Sequence, residues 1–188
     1  YTLCFFPWVG AVIGLCFLLW NRFAGVYGIP STARAAVGAV LPLAISGGFH
    51  ADGFMDTMDA LHSYRDRERK LEILKDSHIG AFAAIMLALY YMIDIAAISE
   101  IHTQKAVSAL AAIFFLARCF SGIAVMTLQP AKKEGLLYTF ASSVQKVRVK
   151  AALYFQAALC VVLMLIVSGW YGVCLLYTSP SPRDRQKS

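Results

Sequence analysis

The residues with the clearest chemical potential are three carboxylates, Asp52, Asp56 and Asp59, in the run His50-Ala51-Asp52-Gly53-Phe54-Met55-Asp56-Thr57-Met58-Asp59-Ala60. Their offsets of i, i+4 and i+7 put them on one face of a helix, within roughly 60° of each other at 3.6 residues per turn. Three like charges on one face, directly after an apolar stretch, repel each other unless a cation joins them. Oxygen-only ligands suit Mg²⁺ or Mn²⁺, and magnesium commonly bridges carboxylates to a substrate's phosphates. The metal candidates are therefore Asp52, Asp56 and Asp59. A solvated acidic helix face is the competing reading.

Neighbouring residues extend the constellation. Gly53 has no side chain, so a ligand or another helix can approach closely there. His50, two residues before Asp52, is a candidate general base, a partner that orients a metal-binding carboxylate, or a phosphate contact. Asp56 and Asp59 are alternative proton acceptors. Further on, Lys75-Asp76-Ser77-His78 precedes Gly80. Lys75 suits a phosphate, and Asp76 suits orienting it or joining the metal site. A plain helix N-cap by Asp76 or Ser77 explains the same pattern equally well. Arg118 lies inside an apolar block, where a charge is costly unless it meets an anion. Asp94, deep in another block, raises the same question. Lys132 and Lys133 offer positive charge to a phosphate, or simply set topology.

The elements that position these groups are read from hydropathy. Of the 188 residues 59% are hydrophobic, and the mean hydropathy is +0.63. The excess falls in blocks close to the ~20 residues that cross a bilayer: about Leu3–Trp20, Ala33–Phe49, Gly80–Ile98, Ala106–Leu128 and Ala151–Leu176. The sequence therefore predicts an all-α, polytopic transmembrane bundle of about five spans. The second block, interrupted by Pro42 and Gly47-Gly48, is expected to be kinked or partly re-entrant. Arg65 to Lys75 reads as a solvated amphipathic segment.

Positive residues cluster in the loops 50–79 and 129–150, whereas 21–32 and 99–105 carry few. Positively charged loops favour the cytoplasmic side, so the acidic motif is expected to face the cytoplasm. The net charge of +6 fits such loops better than nucleic-acid binding. The five cysteines, Cys4, Cys16, Cys119, Cys160 and Cys174, lie in or beside apolar blocks without metal or redox spacing and read as small buried hydrophobes. Residues 1–176 read as one membrane-embedded domain. The polar Ser/Pro-rich run Tyr177–Ser188 reads as a non-native or disordered tail.

The motif from His50 to Ala60 resembles the HxDGxxDTxDA/G signature of the cobalamin synthase family. FFPWVGAVIG (Phe5 to Gly14), RERKLEILKDSHIGAFA (Arg67 to Ala83) and the run from Arg118 to Phe140 ending PAKKEGLLYTF resemble further family segments, in order. The resemblance covers roughly residues 1–174 and implies a domain truncated at both ends. It implies an inner-membrane adenosylcobinamide-GDP ribazoletransferase: α-ribazole or its 5′-phosphate joins the corrinoid, GMP leaves, and Mg²⁺ is the cofactor. It maps the acidic signature onto Asp52, Asp56 and Asp59, with His50 and Gly53 also matching. Asp94 matches no family motif. Two rivals remain. One is a membrane phosphotransferase for a nucleotide-activated head group, disfavoured because Phe54-Met55 follows Gly53 where an Ala-Arg pair is expected. The other is an ion-coupled transporter using Asp52, Asp94 and Arg118, disfavoured because the acids cluster at one membrane face rather than at the midplane.

Overall fold

The computed structural model describes residues 2–74, 76, 78–127, 146–169 and 171–172. All regular structure among them is helical. A 3₁₀ turn, Thr2–Phe5, leads into α1 (Phe6–Val26). Then follow α2 (Ser31–Ser46), α3 (Phe49–His62), the short α4 (Arg67–Ile73), α5 (Ala81–Ser99), α6 (Gln104–Thr127) and α7 (Lys146–Ser168).

Four helical stretches, Leu3–Val26, Ala81–Ser99, Gln104–Thr127 and Val147–Ser168, are long and apolar enough to cross a membrane. The pair α2 and α3 passes the same test together but is bent by 97° at its break, which gives up to five spans among the described residues. Large apolar side chains remain exposed along these helices, including Trp8, Val12, Leu15, Ile93 and Ile166. Apolar surface on that scale is untenable in water, and the chain is a multi-pass membrane protein. The expected blocks match these helices to within a few residues, except that the first helix continues to Val26 and the last already begins at Lys146; residues 173–176 of the fifth block lie outside the described residues. Tyr177–Ser188 and Cys174 lie outside the described residues.

The bend between α2 and α3 has a local cause. Gly47 (φ 68°) and Gly48 (φ 80°) both take left-handed backbone, which side chains disfavour. The Gly48 amide donates back to the Leu43 carbonyl at 3.2 Å, closing α2 as a left-handed C-cap does. The chain then leaves in a new direction as α3.

Two compact units divide the contacts: Trp20–Ile101, and Tyr1–Leu19 with His102–Ser188. In the unit Trp20–Ile101, α5 packs against both α2 and α3. Arg34, on the first turn of α2, donates from Nη2 to the Ile101 carbonyl at 3.1 Å, and the Trp20 indole N–H donates to the Arg34 carbonyl at 2.9 Å. The guanidinium thus satisfies a backbone carbonyl just beyond α5, where cations are favoured. Asp66 caps α4 by accepting from the Arg69 amide at 2.9 Å, and Arg69 pairs with Glu72. This is the solvated segment expected between Arg65 and Lys75.

In the other unit, α6 packs on α7 through Leu116, Cys119 and Ala157 and through Ile123, Met126, Val149 and Leu153. The start of α1 lies so close to α6 that side chains are excluded. A Cβ on Gly10 would collide with the Phe114 carbonyl, and one on Gly14 would sit 2.5 Å from the Ala111 carbonyl oxygen. Membrane helices lack a hydrophobic drive to associate with one another, so such backbone approach is a principal source of their cohesion. Trp8 and Phe17 flank the seam with edge contacts to Phe115 and Phe114.

Gly14→Val should therefore destabilise the fold by about 1–3 kcal/mol, the usual cost of overpacking. Gly25→Ala, at a position where a Cβ meets nothing within 4 Å, should stay within about 0.5 kcal/mol. Thermal unfolding in detergent distinguishes the two; equal melting temperatures would remove the close α1–α6 seam from the account.

Candidate active site

The acidic triplet lies on α3, as its spacing requires. Asp52, Asp56 and Asp59 line one cavity of about 320 Å³ together with Asp76 and His78. Met55, Leu74, Ile79 and Ala83 supply its apolar walls. Two stretches more than a dozen residues apart, α3 and the loop before α5, thus meet at one concave surface within the unit Trp20–Ile101.

Of the three carboxylates, Asp59 has a structural task. Asp59 accepts from the Gly80 amide at 2.6 Å through Oδ2 and from the Ala83 amide at 2.8 Å through Oδ1. These are first-turn N–H groups of α5, which have no partner within their own helix. A carboxylate there also complements the positive end of the helix dipole. Gly80 is the N-cap residue of α5 and offers no side-chain cap, and a Cβ on it would lie 2.5 Å from both Asp59 oxygens. Asp59 therefore caps α5 from across the fold, the task the sequence reading had offered to Asp76 or Ser77. Ring contacts run beside this link: His62 stacks on Phe82 at 5.1 Å, and Phe54 lies 5.7 Å from Tyr90.

Asp76 instead accepts from its own loop. Its Oδ1 lies 2.6 Å from His78 Nδ1 and 3.1 Å from the His78 amide nitrogen. These hydrogen bonds hold the Asp76 carboxyl below the usual carboxylate range. The pairing is therefore present above that lowered pKa and is lost as the pH falls through it.

The remaining candidates are placed as follows. His50 is exposed on the first turn of α3 and is not among the residues lining the cavity. Gly53 is also exposed. A Cβ on it meets nothing within 4 Å, so no described protein element makes the close approach its spacing allowed. Its carbonyl accepts from the Thr57 hydroxyl at 2.7 Å. Arg118 belongs to the other unit, is 8% exposed, and holds its guanidinium 5.7 Å from the Phe6 ring centroid. It forms no ion pair among the described residues. The expected burial is observed, and the contact found is a cation–π one. Asp94 is half-buried on α5. Lys75, Lys132 and Lys133 lie outside the described residues. Sequence reasoning missed His78 as a lining residue and Arg34 as a tether.

For a metal, the donors are chemically apt but open in arrangement. Among the described residues no three His, Cys, Asp or Glu side chains converge tightly enough to enclose an ion. Magnesium seldom needs such a cage, because it keeps several waters and binds through one or two carboxylates plus substrate phosphates. Asp59 gives one lone pair of each oxygen to α5 and keeps another on each, so Asp52, Asp56 and Asp59 all remain donors that fit.

Fold and site together define a polytopic helical membrane protein with a carboxylate-lined cavity beside a broken span. Residues 1–180 match the family model for cobalamin-5-phosphate synthase, and the chain belongs to that family. Its curated relatives bear the name adenosylcobinamide-GDP ribazoletransferase. That of Lachnoclostridium phytofermentans is 40% identical over 168 residues, covering 89% of this chain and 64% of the relative. That of Citrobacter koseri is 33% identical over 172 residues, covering 89% and 66%, and one from Clostridium botulinum is 30% identical over 175 residues, covering 91% and 68%. The chain thus spans about two thirds of the length of the relatives it matches. No solved structure matches it.

Two measurements probe this geometry. Asp59→Ala should cost about 2 kcal/mol, as charge-assisted bonds to a helix N-terminus do, and should speed hydrogen exchange at Gly80 and Ala83. Unchanged exchange there would remove the cap. In His78→Ala the Asp76 carboxyl should titrate higher than in the wild type, read by carbon NMR of labelled aspartate; an unmoved titration would show that the pair does not form.

Proposed function

We propose that this chain is an adenosylcobinamide-GDP ribazoletransferase, joining α-ribazole or its 5′-phosphate to the activated corrinoid with release of GMP. The observation that carries the reading is the cavity: the carboxylates of the family signature line one concave surface, and curated relatives covering most of this chain bear that enzyme's name.

Asp52, Asp56 and Asp59 would hold Mg²⁺, and Asp59 also keeps α3 in register with α5. The ion, when bound, supplies charge neutralisation at the pyrophosphate and at the departing GMP. The cavity admits a phosphate group between α3 and the loop carrying Asp76. A ribazole hydroxyl then attacks the cobinamide-bearing phosphorus in line with the leaving GMP. Lys75, Arg118, Lys132 and Lys133 are the cations proposed to meet substrate phosphates, Arg118 because its guanidinium has no carboxylate partner among the described residues. The corrinoid, a large amphipathic ring, would lie at the bilayer surface. The positively charged segments 50–79 and 129–150 support a cytoplasmic face for the motif in a bacterial inner membrane.

Membrane vesicles containing the chain, supplied with cobinamide-GDP, α-ribazole and Mg²⁺, should yield the joined corrinoid and GMP. Asp52→Ala and Asp56→Ala should each lower that rate about a hundredfold or more, the scale for removing one transition-state charge contact, while inserting normally. Chelation should abolish the rate and added Mg²⁺ restore it. Near-normal turnover in either variant would sink the metal assignment, and solute flux without product would favour a transporter.

A further inference from the structure

The histidine at the cavity is His78. Asp76 Oδ1 meets it twice, at the ring Nδ1 (2.6 Å) and at the backbone amide (3.1 Å). A carboxylate only accepts, so the ring nitrogen facing it carries the proton, and in the neutral form of the ring the lone pair lies at Nε2. Two bonds to one oxygen fix both the loop and the ring. The His78 side chain is 90% exposed, so among the described residues the ring is open to an incoming group. Among the described residues the other charged groups lining the cavity are Asp52, Asp56 and Asp59 from α3, and the rest of that lining is apolar. Asp59 already accepts from the α5 amides. This is the arrangement of a base held by an orienting carboxylate, in the side chain suited to exchanging a proton near neutral pH.

We propose that His78 is the general base of the transfer and Asp76 its positioning residue, an assignment that rests on the transferase reading above. In the step, His78 Nε2 takes the proton of the attacking ribazole hydroxyl. The hydroxyl oxygen forms its bond to the cobinamide-bearing phosphorus, and the bond from that phosphorus to the GMP oxygen breaks, with GMP keeping the electron pair. The imidazolium then releases its proton to water, which returns the neutral ring.

The test uses the full chain in membrane vesicles with cobinamide-GDP, α-ribazole and Mg²⁺, following product by mass spectrometry. His78→Ala should lower kcat by about 10²–10⁴-fold, the range for a general base, with KM for both substrates little changed. Added imidazole should restore part of the lost rate in His78→Ala and none in Asp52→Ala. Asp76→Asn should lower kcat without raising KM and should not respond to imidazole. Wild-type turnover in His78→Ala would overturn the assignment, as would a raised KM with no imidazole rescue, which would mark His78 as a binding contact. If the wild type itself makes no product, the transferase reading fails and this assignment fails with it.

Discussion

Asp59 bound to the first amides of α5 is the interaction on which the candidate site depends. A row of carboxylates on a helix becomes a site only when that helix is held against something that can close the other side. Here the bonds to Gly80 and Ala83 fix the C-terminal half of α3 at the start of α5. They also hold Gly80, where the preceding segment with Asp76 and His78 ends. The bond pair answers a need at each end, because α5 begins with unsatisfied donors and Asp59 is a charge beside apolar surface. Gly80 is the residue type that lets the two come together. The ring contacts at His62–Phe82 and Phe54–Tyr90 extend the same α3–α5 packing.

The bend that precedes α3 matters for the same reason. A straight continuation of α2 would have carried the acids along the apolar span, where charges are expensive. Two successive left-handed glycines turn the chain through 97°, and the carboxylates come to lie on a separate helix that packs across α5. The membrane-facing apolar surface and the polar cavity are thus served by consecutive helices with one break between them.

Much of this was legible in the sequence because it is carried by local pattern. The apolar blocks give the helices, Pro42 and Gly47-Gly48 mark the break, and the i, i+4, i+7 spacing puts three acids on one face. What was not legible comes from contacts between distant residues. Nothing near Asp59 announces that it caps a helix starting more than twenty residues later. The N-cap role accordingly looked suited to Asp76, which stands nearer to α5 in sequence but turns to His78. His50 stands two residues from Asp52 in sequence, whereas the loop brings His78 to the cavity. Nothing in the local sequence marks Arg34 as the partner of the Ile101 carbonyl, 67 residues on. The tight seam at Gly10 and Gly14 likewise needs α6 to reveal it.

The central claim is that the phosphates of the activated corrinoid sit against α3 and the loop before α5. Photolabelling tests it most directly: vesicles containing the chain are irradiated with cobinamide-GDP carrying a photoreactive group beside its pyrophosphate, and the labelled peptides are mapped. The account predicts label within residues 49–83, competed away by unlabelled cobinamide-GDP. Competable label confined to α6 or α7, with none on residues 49–83, would contradict it.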